Sequence, residues 1–205
     1  MNQLAPLNWE ITEQKVLSEA ELKSLLKMIR PFFDQAVVEK KNVHVINDYC
    51  SIRFASLTGL RISEITNLKI GDIADGSIRV VGKGKKLRIV PIGPRGRTVI
   101  DELIKLKVEI LRQPVGPDDH LFANRSGRPF SRHTLNRRFD LWRRRTGIQR
   151  RIGFHSLRHF FATYLLNSNF NLAEVQRTLG HSSISITGRY LHLTESTKEK
   201  VMAAL

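Results

Sequence analysis

The chain has 205 residues, 41% of them hydrophobic, with 34 Lys plus Arg against 19 Asp plus Glu and a formal charge of +15. That composition supports one ordinary core and excludes a membrane-spanning helix, because no run approaches the roughly 18–20 consecutive apolar residues a span needs. The single Cys50 excludes an intramolecular disulfide and Cys-rich metal sites, and in its apolar segment it reads as a small buried hydrophobe. No basic stretch followed by an apolar one opens the sequence, so there is no visible secretory signal and the cytoplasm is the expected compartment.

Residues 1–16 have no clear periodicity and read as an arm or linker. At Ser18 a helix start is predicted: the hydroxyl caps, Glu21 completes a capping box, and Leu22, Leu25, Leu26 and Ile29 form an apolar stripe up to Pro31. A second helix is predicted from Val43 to Leu57, ended by Thr58-Gly59, and a short one near Ile62–Leu68. The period then changes. Ser77–Val81 and Leu87–Pro91 are two β-like runs around Gly82-Lys83-Gly84-Lys85-Lys86, a hairpin with a basic tip. Thr98–Leu111 is helical by pattern, and Ser131 opens an arginine-rich helix that Gly147 closes. Helices near His155–Leu166 and Asn171–Leu179 follow, then short ones at Ile184–Leu191 and Glu195–Leu205. The expected fold class is mainly α with a small antiparallel β-sheet or hairpin.

The charge is concentrated. Residues 1–50 hold 6 basic and 7 acidic groups, residues 51–151 hold 23 and 9, and residues 152–205 hold 5 and 3. Within 125–151 lie ten arginines and no lysine, opposed only by Asp140. Arginine forks bind phosphate oxygens in pairs, so a polyanion such as duplex DNA or RNA suits this segment. A solvated helix face explains the charge equally well. Leu135, Phe139 and Trp142, at helical spacing, read as core contacts rather than as a membrane-binding face.

Four segments carry candidate chemistry: Thr58-Gly59-Leu60-Arg61-Ile62-Ser63-Glu64, the hairpin tip at Lys83, His155-Ser156-Leu157-Arg158-His159, and Leu179-Gly180-His181 followed by Tyr190. Singly, each has a plain structural explanation; Arg61, for instance, can pair with Glu64 one helical turn on. Together they suit attack by a phenol on a phosphodiester. Two arginines, Arg61 and Arg158, neutralise the non-bridging oxygens. Lys83 protonates the departing 5′ oxygen, His155 takes the phenol proton, and His181 adds a hydrogen bond to the phosphate.

This ordered set resembles the tyrosine recombinases, or phage-integrase family, and in particular its Xer-like branch. The similar stretches are 58–64, 81–92, 154–163, 179–183 and 189–192, and the resemblance runs over residues 17–205. It implies the catalytic-domain fold of DNA breaking-rejoining enzymes and a site of Arg61, Lys83, His155, Arg158, His181 and the nucleophile Tyr190, with Glu64 orienting it. Lys83 is preferred over Lys85 and Lys86 because it follows the Val-Gly of the first strand. Lys85, Lys86, Arg88, Arg132, Arg137, Arg138, Arg143 and Arg144 are the expected DNA contacts.

The implied reaction is site-specific recombination through a 3′-phosphotyrosyl link that conserves bond energy, so neither ATP, metal nor another cofactor is expected. The implied partners are double-stranded DNA and further copies of the chain, a tetramer on DNA built from units that are monomeric in solution, in a nucleoid-associated setting. A type IB topoisomerase-like nicking and resealing activity uses the same residues, and a catalytically idle DNA-binding protein is a third reading. Family members place a helical domain of about a hundred residues before this one; here about 16 residues precede the first helix, which leaves a naturally short enzyme and a part of a longer one both open. The expected organisation is an arm at 1–16, a catalytic domain at 17–192 and a tail helix at 193–205 whose apolar side needs a dock, on its own domain or on a neighbouring subunit.

Overall fold

The computed structural model describes residues 15–74, 76–81, 87–112 and 115–180. Lys83, Lys85, Lys86, His181, Tyr190, the two C-terminal helices and most of the N-terminal arm lie outside the described residues.

Helix α1, Glu19–Val38, begins at the expected capping box: Ser18 Oγ accepts from Glu21 N–H and the Glu21 carboxylate accepts from Ser18 N–H. It does not stop at Pro31. The proline is exposed and removes only one amide donor, while Phe33 and Ala36 continue the buried stripe of Leu22, Leu25 and Ile29 on the other side. Burial of that longer stripe outweighs one lost hydrogen bond.

Helix α2, Val43–Thr58, is the centre of the molecule. The pattern predicts one buried face, yet Asn47, Asp48, Ser51, Ser56 and Thr58 are buried along with the apolar residues, because α1 and the helices at Pro94–Leu111, Arg132–Arg145 and Ser156–Asn167 all pack on it. Most of its buried polar groups find partners inside the fold. Asn47 donates to the carbonyls of Val43 and Ala123, and Asp48 accepts from Trp142 Nε1 at 2.7 Å and from Arg138 Nε at 2.6 Å. Cys50 is fully buried in this helix, as its segment implied, and burial pushes its thiol pKa far up.

Gly59 ends α2 at φ +62°, a left-handed conformation that glycine adopts without penalty. Helix α3, Ile62–Asn67, follows, then a 3₁₀ turn at Ile70–Asp72 and a three-stranded antiparallel sheet in the order β1 (Ile73–Ala74), β2 (Ser77–Val81), β3 (Leu87–Pro91). The predicted hairpin is thus present with one extra short strand, and its register pairs Val81 with Leu87 beside the tip. Helix α4 spans Pro94–Leu111, one turn longer at its start than the apolar pattern predicts, since Pro94 sits at a first-turn position where a missing amide costs nothing.

Helix α5, Arg132–Arg145, is capped by Ser131 and buries Leu135, Phe139 and Trp142 as expected. Helix α6 covers Ser156–Asn167, and α7 covers Leu172–Leu179 with the predicted Asn171–Glu174 capping box. The mainly helical fold with a small sheet is therefore the one observed. Among the described residues no helix is long and apolar enough to cross a membrane.

Candidate active site

The C-terminal ends of two helices, α2 at Gly59 and α7 at Leu179-Gly180, meet, and two arginines are fixed on their carbonyls. Arg158, from α6, donates from one terminal nitrogen to Gly59 O at 2.7 Å and from the other to Leu179 O at 2.6 Å. It is 2% exposed, which makes it one of the largest buried side chains. Arg61, before α3, donates to the next carbonyl, Gly180 O, at 2.9 Å, and its side chain is 33% exposed. Orphan carbonyls at a helix end carry partial negative charge, so both cations sit where the backbone favours them.

Glu64 lies behind Arg61 with a side chain 4% exposed. Its carboxylate accepts from Arg61 N–H at 2.7 Å, from the Arg61 guanidinium at 2.9 Å, and from both terminal nitrogens of Arg88 at 2.7 and 2.9 Å. Burial acts to raise its pKa, but the bonds from Arg88 and Arg61 outweigh burial and hold it below the usual carboxylate value. Glu64 is an anion throughout the physiological range.

His155 stands immediately before α6. Its position is set from α5: Asn136 Oδ1 accepts from Phe154 N–H at 3.1 Å, and Ser156 Oγ donates to Gly153 O at 2.7 Å. The ring keeps an exposed edge and meets His159 edge-to-face at 4.6 Å. Lost hydration around the ring, then the Arg158 and Arg61 cations, push its pKa down to about 4, against the smaller opposing pull of Glu64. It is a neutral imidazole at pH 7, able to accept a proton.

Four sequence-predicted residues, Arg61, Glu64, His155 and Arg158, therefore converge; Lys83, His181 and Tyr190 fall outside the described residues. The pattern did not single out Asn136, His159 or the carbonyls of Gly59, Leu179 and Gly180. Gly180 carries a usable signal, a glycine just past a helix end; a Cβ there would lie 2.6 Å from Arg88 Cδ, and its φ is +64°.

Three expected DNA contacts are engaged inside the fold. Arg143 is buried, bonded to Asp140 at 2.6 Å and to the Ile148 and Arg150 carbonyls, so it fastens the turn after α5. Arg138 is held on buried Asp48, and Arg88 on Glu64 with its side chain 16% exposed. Of the other described candidates, Arg132 and Arg137 are exposed, as is Arg144, which pairs with Asp140 at 2.8 Å. Arg145 stacks on Trp142 at 4.9 Å and Phe32 at 5.5 Å. Among the described residues no cluster of His, Cys, Asp or Glu is arranged to hold a metal ion.

The sequence model of the phage integrase family matches residues 15–197. The chain belongs to that family. This phage integrase family member is 36% identical over 188 residues to "Tyrosine recombinase XerD" of Chlamydia trachomatis serovar D, a match covering 90% of this chain and 60% of the relative. It is 37% identical over 150 residues to "Tyrosine recombinase XerC" of Haemophilus ducreyi, covering 72% and 48%. The fold is similar to the crystal structure of XerA recombinase (TM-score 0.72, 27% identity, 92% of this chain and 64% of that one). It is also similar to XerH site-specific recombinase bound to palindromic difH substrate in a post-cleavage complex (TM-score 0.74, 28% identity, 94% and 53%). The mainly helical unit is thus a tyrosine recombinase catalytic-domain fold, and the chain spans about half to 60% of the length of the recombinases it matches in sequence.

Proposed function

We propose that this chain is the catalytic unit, residues 17–192, of a site-specific DNA recombinase that cleaves and rejoins double-stranded DNA through Tyr190. The observation that carries the reading is the convergence of Arg61, Arg158 and a neutral His155 on the junction of α2 and α7, one residue before His181 in sequence. A phosphodiester entering beside Arg61 meets a field from two guanidiniums, and such fixed charge stabilises the oxygens on which charge builds in the transition state.

In the proposed step the Tyr190 hydroxyl gives its proton to His155 and its oxygen bonds to phosphorus. The bond from phosphorus to the 5′ oxygen breaks, and Lys83 supplies the proton that leaves a free 5′-hydroxyl. His181 hydrogen-bonds a non-bridging oxygen. Attack of a partner strand's 5′-hydroxyl on the phosphotyrosyl link then releases the enzyme. Exposed Arg132, Arg137 and Arg144, with Lys85 and Lys86 of the hairpin tip, supply phosphate contacts. Strand exchange requires two duplexes, which fits a tetramer on DNA with the 193–205 tail linking subunits, working on the nucleoid in the cytoplasm.

The test is covalent trapping. A library of randomised duplexes carrying bridging 5′-phosphorothiolates is incubated with the full chain, and denaturant-resistant adducts are recovered. Adducts should form with the wild type and be lost in Tyr190→Phe; equal adduct yield in that variant overturns the nucleophile, and no adduct with either overturns the reading.

A further inference from the structure

We infer that Arg88 is a positioning residue for phosphoryl transfer, acting through Glu64 to keep the charge of Arg61 available to the phosphate. This inference rests on the function proposed above.

Glu64 presents a difficulty to a site that must attract an anion. A buried carboxylate bonded to Arg61 cancels the cation that the reaction uses. Arg88 removes that difficulty. Its two terminal nitrogens meet the two Glu64 oxygens in a parallel fork, at 2.7 and 2.9 Å, the geometry in which a guanidinium neutralises a carboxylate best. Arg61, by contrast, offers Glu64 one terminal nitrogen and its own backbone N–H, and turns the other terminal nitrogen to the neutral Gly180 carbonyl. The trio of two arginines and one glutamate carries one net positive charge, and the member that solvent reaches most is Arg61, at 33% against 16% for Arg88.

The location of Arg88 adds a mechanical role. It lies on β3, two residues beyond the 82–86 tip that carries Lys83, and its stem runs against Gly180, where a Cβ would come within 2.6 Å of Arg88 Cδ and 2.7 Å of Nε. One side chain thereby ties the hairpin base, the buried carboxylate and the end of α7 together. A lysine cannot reproduce this, because an ammonium has no fork to align both carboxylate oxygens.

The experiment uses the full chain and the duplex that the wild type enriches from the randomised library, with single-turnover adduct formation at saturating protein and DNA affinity measured separately. Arg88→Gln should slow adduct formation by at least about 30-fold, as expected for loss of a preorganised charge arrangement, with affinity changed by no more than about threefold. Arg88→Lys should fall between. The deciding variant is Arg88→Gln combined with Glu64→Gln: removing the carboxylate frees Arg61 again, so the double variant should be at least about tenfold faster than Arg88→Gln alone. A double variant no faster than the single one, or an Arg88→Lys variant with affinity lost as much as rate, overturns the inference. If the wild type enriches duplexes through Tyr190 and all Arg88 variants match its rate, this inference alone fails; if it enriches none, the proposed function fails and takes the inference with it.

Discussion

Replacing Arg158 with alanine should damage stability and chemistry by separable amounts. The guanidinium is 2% exposed and bonds Gly59 O at the end of α2 and Leu179 O at the end of α7. Deleting it strands two buried carbonyls, each costing about 1–3 kcal/mol, and opens a cavity beside them. A combined loss of about 4 kcal/mol corresponds to a drop of roughly 8–16 °C in Tm for a domain of this size. Differential scanning calorimetry measures this. Adduct formation is then followed at a temperature where the variant is folded, and there the rate should still fall by about 10²–10³-fold, the usual consequence of removing a preorganised transition-state donor. Arg158→Lys, which keeps a charge but loses the fork, should recover part of the stability and little of the rate. A Tm within about 2 °C of wild type would refute the role of the carbonyl bonds. A rate loss no larger than the unfolded fraction would refute the catalytic one.

The remaining predictions concern pH and salt. With its pKa pushed down to about 4, His155 is already neutral at pH 6, so adduct formation should show no titration of the His155 imidazole between pH 6 and 8. An acid limb centred near 6.5 that disappears in His155→Gln would show that the ring is not held neutral. The same shift has a stability sign: the unfolded imidazole binds a proton more readily, so this contribution is complete above pH 6.5 and is lost as pH falls toward 4. Arg137→Ala, at an exposed position, should reduce the slope of log affinity against log salt by about one, measured by fluorescence anisotropy on duplex DNA. Arg143→Ala should leave that slope unchanged and destabilise the fold by about 3 kcal/mol, since it removes the buried donor to the Ile148 and Arg150 carbonyls; the opposite pattern would reverse the assignment of the two.

Most of the fold was legible because its helices announce themselves locally. Ser18 with Glu21, Asn171 with Glu174, and Ser131 before an apolar i, i+4 pattern are caps whose hydrogen bonds lie within one turn, so no knowledge of the rest of the chain is needed to place them. What misled was information that only tertiary packing holds. Pro31 reads as a stop, and becomes harmless only when Phe33 and Ala36 have a core to enter. The sequence of α2 marks only an apolar face, yet Asp48 points inward because α5 brings Arg138 and Trp142 to it from ninety residues away.

The site divides along the same line. Arg61, His155 and Arg158 were identifiable as a set because the chemistry demands those residue types together, while Glu64 entered through the family resemblance and its local pairing with Arg61. The arginine surplus was harder, because a guanidinium that binds phosphate and one that braces the fold are the same residue. The deciding quantity is the presence of a carboxylate or carbonyl waiting inside. Asp48, Asp140 and Glu64 each claim one or more arginines, and the strand period foretells one of them: on β3 the inward positions alternate with exposed Leu87 and Ile89, which turns Arg88 toward Glu64 beside buried Val90. Only the arginines left without an internal anion, such as Arg132 and Arg137, keep their full charge for an external one. The +15 of the whole chain therefore overstates the binding surface, and the Arg137 and Arg143 salt slopes measure by how much.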